Sequence, residues 1–131
     1  MKRAMARVVK ADQATLLDLP GRRSLEIVSG RTGASAVTLR LVEIPVPQPG
    51  PAARKPHVHQ GFEECIYLLS GRGTSTVDGV EHPLEAGDTV LVAPGEFHMM
   101  RNTGDEPLML LCFSPVADID AGTQETVPHD L

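Results

Sequence analysis

The sequence has few aromatic residues, with no tryptophan, one tyrosine and three phenylalanines among 131 residues. Single-stranded nucleic acids and sugars are commonly bound on aromatic rings, so this scarcity argues against a stacking surface for either. Basic residues are also in the minority, with 12 Lys and Arg against 17 Asp and Glu and a net charge of −5. Because phosphate backbones and anionic membranes are bound through positive charge, we expect neither nucleic acid nor a membrane as a partner.

Long apolar runs are absent as well. No segment approaches the roughly 18 uninterrupted apolar residues that a membrane-spanning helix needs. The basic start Met1–Lys10 is not followed by the apolar stretch of a secretory signal, so we expect a cytoplasmic protein. The two cysteines, Cys65 and Cys112, form neither a CxxC pair nor a disulfide framework. Both lie in apolar strand-like runs, and we expect two buried free thiols.

The sequence does contain a series of short strand-like segments separated by turn residues. Turn signals recur about every 8–12 residues, which is typical of a β-sandwich or small barrel. Asp78-Gly79 predicts a tight hairpin, because both central residues of a type I′ turn need positive φ. Only Ala11–Leu17 has a helical pattern, and it is short. The prediction is an all-β protein with a single domain over residues 1–131, a barrel core at about 24–115 and extensions at both ends.

Five histidines stand out in so short a chain. His57 and His59 are two residues apart, so in a strand both imidazoles point to the same face. Glu64 can return to that face after a turn, and His98 opens a later strand that could lie alongside. Three imidazoles and a carboxylate suit one divalent transition metal ion such as Fe(II), Mn, Ni, Cu or Zn. On an octahedral ion, two positions then stay open to substrate or dioxygen.

The histidine pair has a simpler interpretation too. Two histidines on one strand face can be merely solvated, and spacing alone does not bring distant residues together. The remaining histidines, His82 and His129, are expected on the surface.

Two spaced motifs carry a resemblance to a known family. The first reads His57-x-His59-x4-Glu64-x6-Gly71, and the second runs from Gly87-Asp88 through Pro94-Gly95 and His98 to Asn102. In order and spacing they resemble the two cupin motifs, and the resemblance covers Val37–Pro115. Ala93 stands where the family usually has proline, with Pro94 one place later, which leaves every ligand position intact.

The resemblance implies a small jelly-roll β-barrel with little helix and one metal ion near its mouth. The implied ligands are His57, His59, Glu64 and His98. Asn102 is expected to orient the ligands or hold the loop backbone behind them. Asp88 is expected mainly to bond nearby amides in its turn.

Strand alternation then predicts a substrate pocket, because side chains two apart share a face. Its expected lining is largely aliphatic, with Ile66, Leu68 and Met100 inside, and Phe62 and Phe97, which flank ligand positions, are expected at its mouth. The alternative is that these residues simply fill a small barrel. Arg40 is a candidate anion clamp, but surface exposure is the favoured interpretation. Cys65, Tyr67 and Leu69 face outward, and this apolar face together with the edge strands predicts a homodimer.

These observations favour a metal-dependent enzyme of the dioxygenase type acting on a small organic acid, enol or phenol. The sequence offers no convincing general base, since Tyr67 points away and Glu63 and Glu96 are expected at the rim, which favours chemistry carried by the metal. A metal-dependent lyase, decarboxylase or isomerase is the nearest alternative. A small-ligand-binding or sensory protein without catalysis is the second.

Overall fold

The structure of the protein is a computed structural model that describes residues 6–50 and 55–125. Within these ranges the regular structure consists of short 3₁₀ turns and β-strands, with no α-helix. The 3₁₀ turns lie at Ala11–Gln13, Gly30–Thr32 and Asp120–Gly122. The strands are β1 (Thr15–Leu19), β2 (Arg22–Val28), β3 (Thr38–Ile44), β4 (His57–His59), β5 (Glu64–Ser70), β6 (Arg72–Val77), β7 (Val80–Glu85), β8 (Thr89–Val92), β9 (His98–Asn102), β10 (Leu108–Ser114) and β11 (Thr123–Glu125).

The strands form two antiparallel sheets that face each other as a jelly roll. The six-stranded sheet has the order β1-β2-β3-β10-β5-β8, and the five-stranded sheet has the order β11-β4-β9-β6-β7. The all-β prediction is therefore confirmed. None of the helical segments in the described ranges is long and apolar enough to cross a membrane.

The helical pattern over Ala11–Leu17 is the part of the fold prediction that is wrong. A 3₁₀ turn ends at Gln13, and β1 then pairs with β2 from Thr15↔Glu26 to Leu19↔Arg22. So short a segment gains little from helix formation, because nucleation is costly. Pairing with β2 satisfies its backbone groups instead.

The core lies between the sheets and follows the alternation of their strands. In β5 the side chains of Glu64, Ile66 and Leu68 are buried while the intervening ones are exposed. Ile66 and Leu68 join a buried cluster with Val42, Ile44, Val92, Met100, Leu108, Leu110 and Cys112. Cys112 is buried as expected. The prediction of a buried thiol is wrong for Cys65, because this residue lies between the inward-facing Glu64 and Ile66 and its side chain is on the outer face of β5.

The predicted hairpin at Asp78-Gly79 joins β6 to β7 and also supports the site. The two residues have φ of 47° and 82°, as a type I′ turn requires. The Asp78 carboxylate accepts a hydrogen bond from the Phe97 amide at 2.9 Å, and the Asp78 amide donates to the Phe97 carbonyl at 2.8 Å. The hairpin therefore fixes the backbone directly before His98.

Candidate metal centre

Three strands from both sheets bring the four predicted ligands together. His57 and His59 lie on β4, and His98 begins β9, where it is opposite His57 in the antiparallel register. Glu64 begins β5 in the other sheet and faces them across the barrel. One ligand atom from each residue lies within 4.8 Å of all the others. His59, Glu64 and His98 are buried and His57 is half-buried, so the cluster is largely shielded from solvent.

Hydrogen bonds orient two of the imidazoles. The Nδ1 of His98 lies 3.1 Å from the Glu96 carbonyl, which can only accept, so this nitrogen carries the proton. The Nδ1 of His59 lies 2.8 Å from the Thr123 hydroxyl, which itself donates to the Ile119 carbonyl at 2.6 Å. The Thr123 oxygen therefore accepts from His59. In the neutral imidazoles, the unprotonated Nε2 atoms of both histidines face the cluster.

The Glu64 carboxylate and the Nε2 atoms of His59 and His98 converge at the centre of the cluster. Glu64 Oε1 lies 3.5 Å from His59 Nε2 and 3.3 Å from His98 Nε2. His59 Nε2 is buried and has no hydrogen-bond partner among the described residues. A cation at this point relieves the unpaired contacts. Metal–nitrogen and metal–oxygen bonds of about 2.1 Å would bring one ion within reach of four ligand atoms that all lie within 4.8 Å of one another. The residues fit one transition metal ion.

The protonation states of the ligands suit metal binding at neutral pH. Burial opposes ionisation of Glu64, but its hydrogen-bonding and electrostatic contacts with His59 and His98 outweigh burial and lower the pKa of Glu64 to about 2. Burial, followed by the charge of His98, lowers the pKa of His57 to about 3. Glu64 is therefore a carboxylate and His57 a neutral imidazole, as coordination requires.

The ligands open onto a cavity of about 300 Å³ inside the barrel. Ile66 and Met100 line it, at the positions that strand alternation predicts. The structure does not place Phe62, Leu68 or Phe97 in this lining. Phe62 stacks behind His59 with ring centroids 5.0 Å apart, and Leu68 lies deeper, fully buried in the core. Phe97 is half-buried, and its backbone is bonded to Asp78.

Arg40 does not lie on the surface, where the sequence predicts it. Its side chain is only 13% exposed and lines the cavity, so that prediction is wrong. The reason is a buried partner opposite it in the β2–β3 register, Glu26, whose Oε2 accepts from Arg40 Nε at 3.0 Å and Nη2 at 2.7 Å. Burial opposes ionisation of Glu26, but Ser29 and Arg40 outweigh it and hold its pKa below the usual value.

Several polar residues of the cavity were not singled out from the sequence. They are Arg22, Ser24, Lys55, Asp120 and Thr123. The alternation along β2 could have predicted that Arg22 and Ser24 face inward, since their side chains share one face of the strand with Glu26.

Asn102 ends β9, and its side chain bonds to backbone groups of β3 and of the following turn. Its amide nitrogen donates to the carbonyls of Ile44 at 3.0 Å and Glu106 at 2.7 Å. Its amide oxygen accepts from the Gly104 amide at 2.9 Å. It thus ties the β9–β10 turn to β3, so these contacts hold loop backbone in place.

The other residues predicted to lie in turns or on the surface are Asp88, His82 and His129. Asp88 accepts from the Glu85 amide at 2.9 Å, as expected of a turn residue. His82 is exposed, as expected. His129 lies outside the described residues.

Comparison with known proteins identifies the family. Residues 46–114 match the Cupin domain family. The chain belongs to the cupins. SchB of Streptomyces halstedii is 31% identical over 121 residues, which are 89% of this chain and 83% of SchB. The polyketide synthase CurC of Streptomyces cyaneus is 36% identical over 62 residues, 47% of this chain and 40% of CurC.

A shorter match is to the oxalate-binding protein of Thermotoga maritima, 38% identical over 55 residues, 42% of this cupin and 46% of the relative. This cupin spans about half the length of several curated relatives that it matches. Among solved structures, the nucleoside dehydratase Pac13 of Streptomyces superposes with a TM-score of 0.74 at 11% identity, covering 93% of this cupin and 92% of Pac13. The polyketide cyclase RemF of Streptomyces resistomycificus superposes with a TM-score of 0.73 at 18% identity, covering 94% and 87%. Both structures share the fold.

Proposed function

We propose that this cupin is a single-domain metal-dependent enzyme that acts on a small enolic, phenolic or carboxylic substrate. One divalent transition metal ion would be held by His57, His59, Glu64 and His98. The observation that supports this is the convergence of these ligand atoms within 4.8 Å at one side of a cavity of about 300 Å³. Such a volume is at the lower end of the range for small-molecule sites.

A divalent ion bound there supplies Lewis acidity toward substrate oxygen atoms. The residues of the chain bind and orient the substrate around that point. Ile66, Met100 and Leu110 give the cavity an apolar wall that excludes water. Arg22 and Lys55 also line it and add positive charge, which favours a substrate with an anionic oxygen.

Besides Glu64, the described cavity lining contains one carboxylate, Asp120, whose Oδ1 lies 3.6 Å from Arg40 Nη2. Tyr67 is 42% exposed and lies on the outer face, away from the cavity. Glu96 is engaged by the Ala93 amide, which donates to its carboxylate at 2.7 Å. This arrangement favours reactions in which the ligand set and its ion activate the substrate directly.

The similarity to CurC, which is named a polyketide synthase, supports a polyketide as the substrate class. A redox-neutral reaction of the lyase, decarboxylase or isomerase type is the first candidate. A dioxygenase reaction is the second candidate, favoured by the two positions that four protein ligands leave open on a six-coordinate ion. The oxalate-binding relative supports the non-catalytic alternative, in which the cavity holds a carboxylate without converting it.

The first experiment measures metal and turnover together. Protein purified without added metal is analysed for its elements, and the variants His59→Ala and Glu64→Ala are expected to lose most of the metal while keeping their circular dichroism. Full metal retention in both variants would contradict the assignment of the ligands. A panel of diketones, phenols and small acids is then assayed for oxygen consumption and for products. Products without oxygen consumption support the redox-neutral reaction, and products with it support the dioxygenase. Binding without products supports the non-catalytic alternative.

We further propose a cytoplasmic homodimer formed through the outer face of the six-stranded sheet. Tyr67, Leu69, Leu91 and Phe113 are 42%, 47%, 61% and 41% exposed there. They lie on the neighbouring strands β5, β8 and β10, and a contiguous apolar patch of this kind is usually covered. Leu91→Asp is expected to shift the mass measured by light scattering to that of a monomer. Val80→Asp, at an exposed apolar position on the other sheet, serves as the control. A monomeric wild-type protein at micromolar concentration would refute the proposal.

A further inference from the structure

A second polar point in the cavity lies away from the metal ligands. Ser24 is only 1% exposed, and its hydroxyl has no hydrogen-bond partner among the described residues. The same residue lines the cavity onto which the ligands open. A buried hydroxyl without a partner destabilises the folded state unless water or a ligand satisfies it.

Ser24 and the metal ligand Glu64 lie far apart on the same sheet. Ser24 is on β2 and Glu64 is on β5, with β3 and β10 between them. Through Val42 and Leu110, Ser24 is in register with Leu68, four residues beyond Glu64 on β5, so three strand spacings and this offset correspond to about 20 Å along the curved sheet. Ser24 therefore faces a part of a bound molecule that the metal ligands do not reach.

Arg40 lies between these two points, on β3, and lines the same cavity. Two carboxylates compensate its charge, since Glu26 Oε2 lies 2.7 Å and Asp120 Oδ1 lies 3.6 Å from Arg40 Nη2. The guanidinium therefore offers N–H donors at this end of the cavity with little net charge. Together with the Ser24 hydroxyl, it offers hydrogen bonds to a carbonyl or hydroxyl oxygen.

We propose that Ser24 and Arg40 form an oxygen-binding subsite, and that the substrate is a polyoxygenated molecule longer than a two-carbon acid. This inference rests on the proposed function, because the other end of the substrate is taken to bind at the metal. The cavity of about 300 Å³ agrees with it. A water molecule takes up about 30 Å³ of liquid, so the space equals roughly ten waters, more than a two-carbon diacid fills.

The experiment compares two chelators that differ in reach. Acetylacetone carries two oxygens, and dodecane-2,4,11-trione extends the same chelating unit by an alkyl chain with a third carbonyl about 9 Å further on. Calorimetric titration of the Ni(II)-loaded protein is expected to give tighter binding of the trione. Ser24→Ala is expected to weaken binding of the trione about three- to tenfold, the loss of one neutral hydrogen bond, and to leave acetylacetone within about twofold.

Ser114→Ala is the matched control. Ser114 is also a fully buried serine of the six-stranded sheet whose hydroxyl lacks a partner among the described residues, but it does not line the cavity. Its replacement is expected to leave both dissociation constants unchanged. If both chelators bind but Ser24→Ala affects them equally or not at all, the subsite is refuted and the proposed function stands. If neither binds the metal-loaded wild-type protein, the proposed function fails and the subsite with it.

Discussion

The buried pair of Arg40 and Glu26 allows a quantitative test of how this barrel is stabilised. The Arg40 side chain is 13% exposed and that of Glu26 is 5% exposed, and they are joined by hydrogen bonds of 3.0 and 2.7 Å. Removing one partner of such a pair costs about 3–5 kcal/mol, because it leaves a buried charge uncompensated. In Arg40→Met, Glu26 keeps the hydroxyl of Ser29 and lies 3.6 Å from Arg31. We therefore expect a loss at the lower end of this range, about 3 kcal/mol.

Urea denaturation followed by circular dichroism measures this loss, which corresponds to a fall in Tm of about 10 °C for a chain of this size. The double variant Glu26→Gln/Arg40→Met removes both charges and is expected to be more stable than Arg40→Met alone, by about 1–2 kcal/mol. Equal stabilities of the single and double variants would refute the view that an uncompensated Glu26 carboxylate causes the loss.

The same pair predicts a pH dependence. Its partners hold the pKa of Glu26 below the ordinary value of 4.5, so its contribution to folding is complete above that value. It is lost as the pH falls through the lowered pKa of the folded state. The difference in the free energy of unfolding between wild type and Arg40→Met is therefore full at pH 7 and narrows in acid, where Glu26 takes up a proton. A difference that stays constant from pH 7 to pH 3 would contradict this mechanism.

Two further predictions test contacts around the site and the fold. Thr123→Val removes the acceptor of His59 Nδ1 and is expected to lower metal affinity about 10- to 100-fold in a competition titration, whereas exposed Thr89→Val has no effect. Gly71→Ala is expected to cost about 2–4 kcal/mol in urea denaturation, because φ is +88° and a Cβ would meet the Pro107 carbonyl at 2.9 Å. Gly79→Ala, with φ of +82° and open space, is expected to cost only about 1 kcal/mol, so equal losses would exclude the steric explanation.

Strand alternation predicted which side chains face inward but not how deep they lie. In β5, Ile66 and Leu68 share the inner face, yet only Ile66 lines the cavity while Leu68 is fully buried in the core. A period of two residues fixes the face of the sheet and carries no information about the level along the barrel. That level depends on how the opposite sheet packs, which is a property of the whole chain.

Buried charges were the other source of error, because their burial depends on partners distant in sequence. The sequence predicts Arg40 at the surface, because its partner Glu26 is 14 residues away and only the β2–β3 register brings the two opposite each other. The acceptor of His59 Nδ1 is likewise 64 residues away, on β11. The carbonyl of Glu96, which orients His98, is a backbone group with no residue-type signature at all. Sequence spacing could therefore name the ligands but not the groups that orient them.

The two ends of the cavity accordingly come from different parts of the chain. All four candidate metal ligands lie within residues 46–114, which match the cupin family. Ser24 and Arg40 lie before this range, on β2 and β3. If the proposed subsite is correct, substitutions on the inner face of β2 change which substrate is bound while the metal content stays constant. Substitutions at His59 or Glu64 change the metal content whatever substrate is offered. Metal binding and substrate choice are then separable in this barrel, because one depends on the shared motif and the other on the strands outside it.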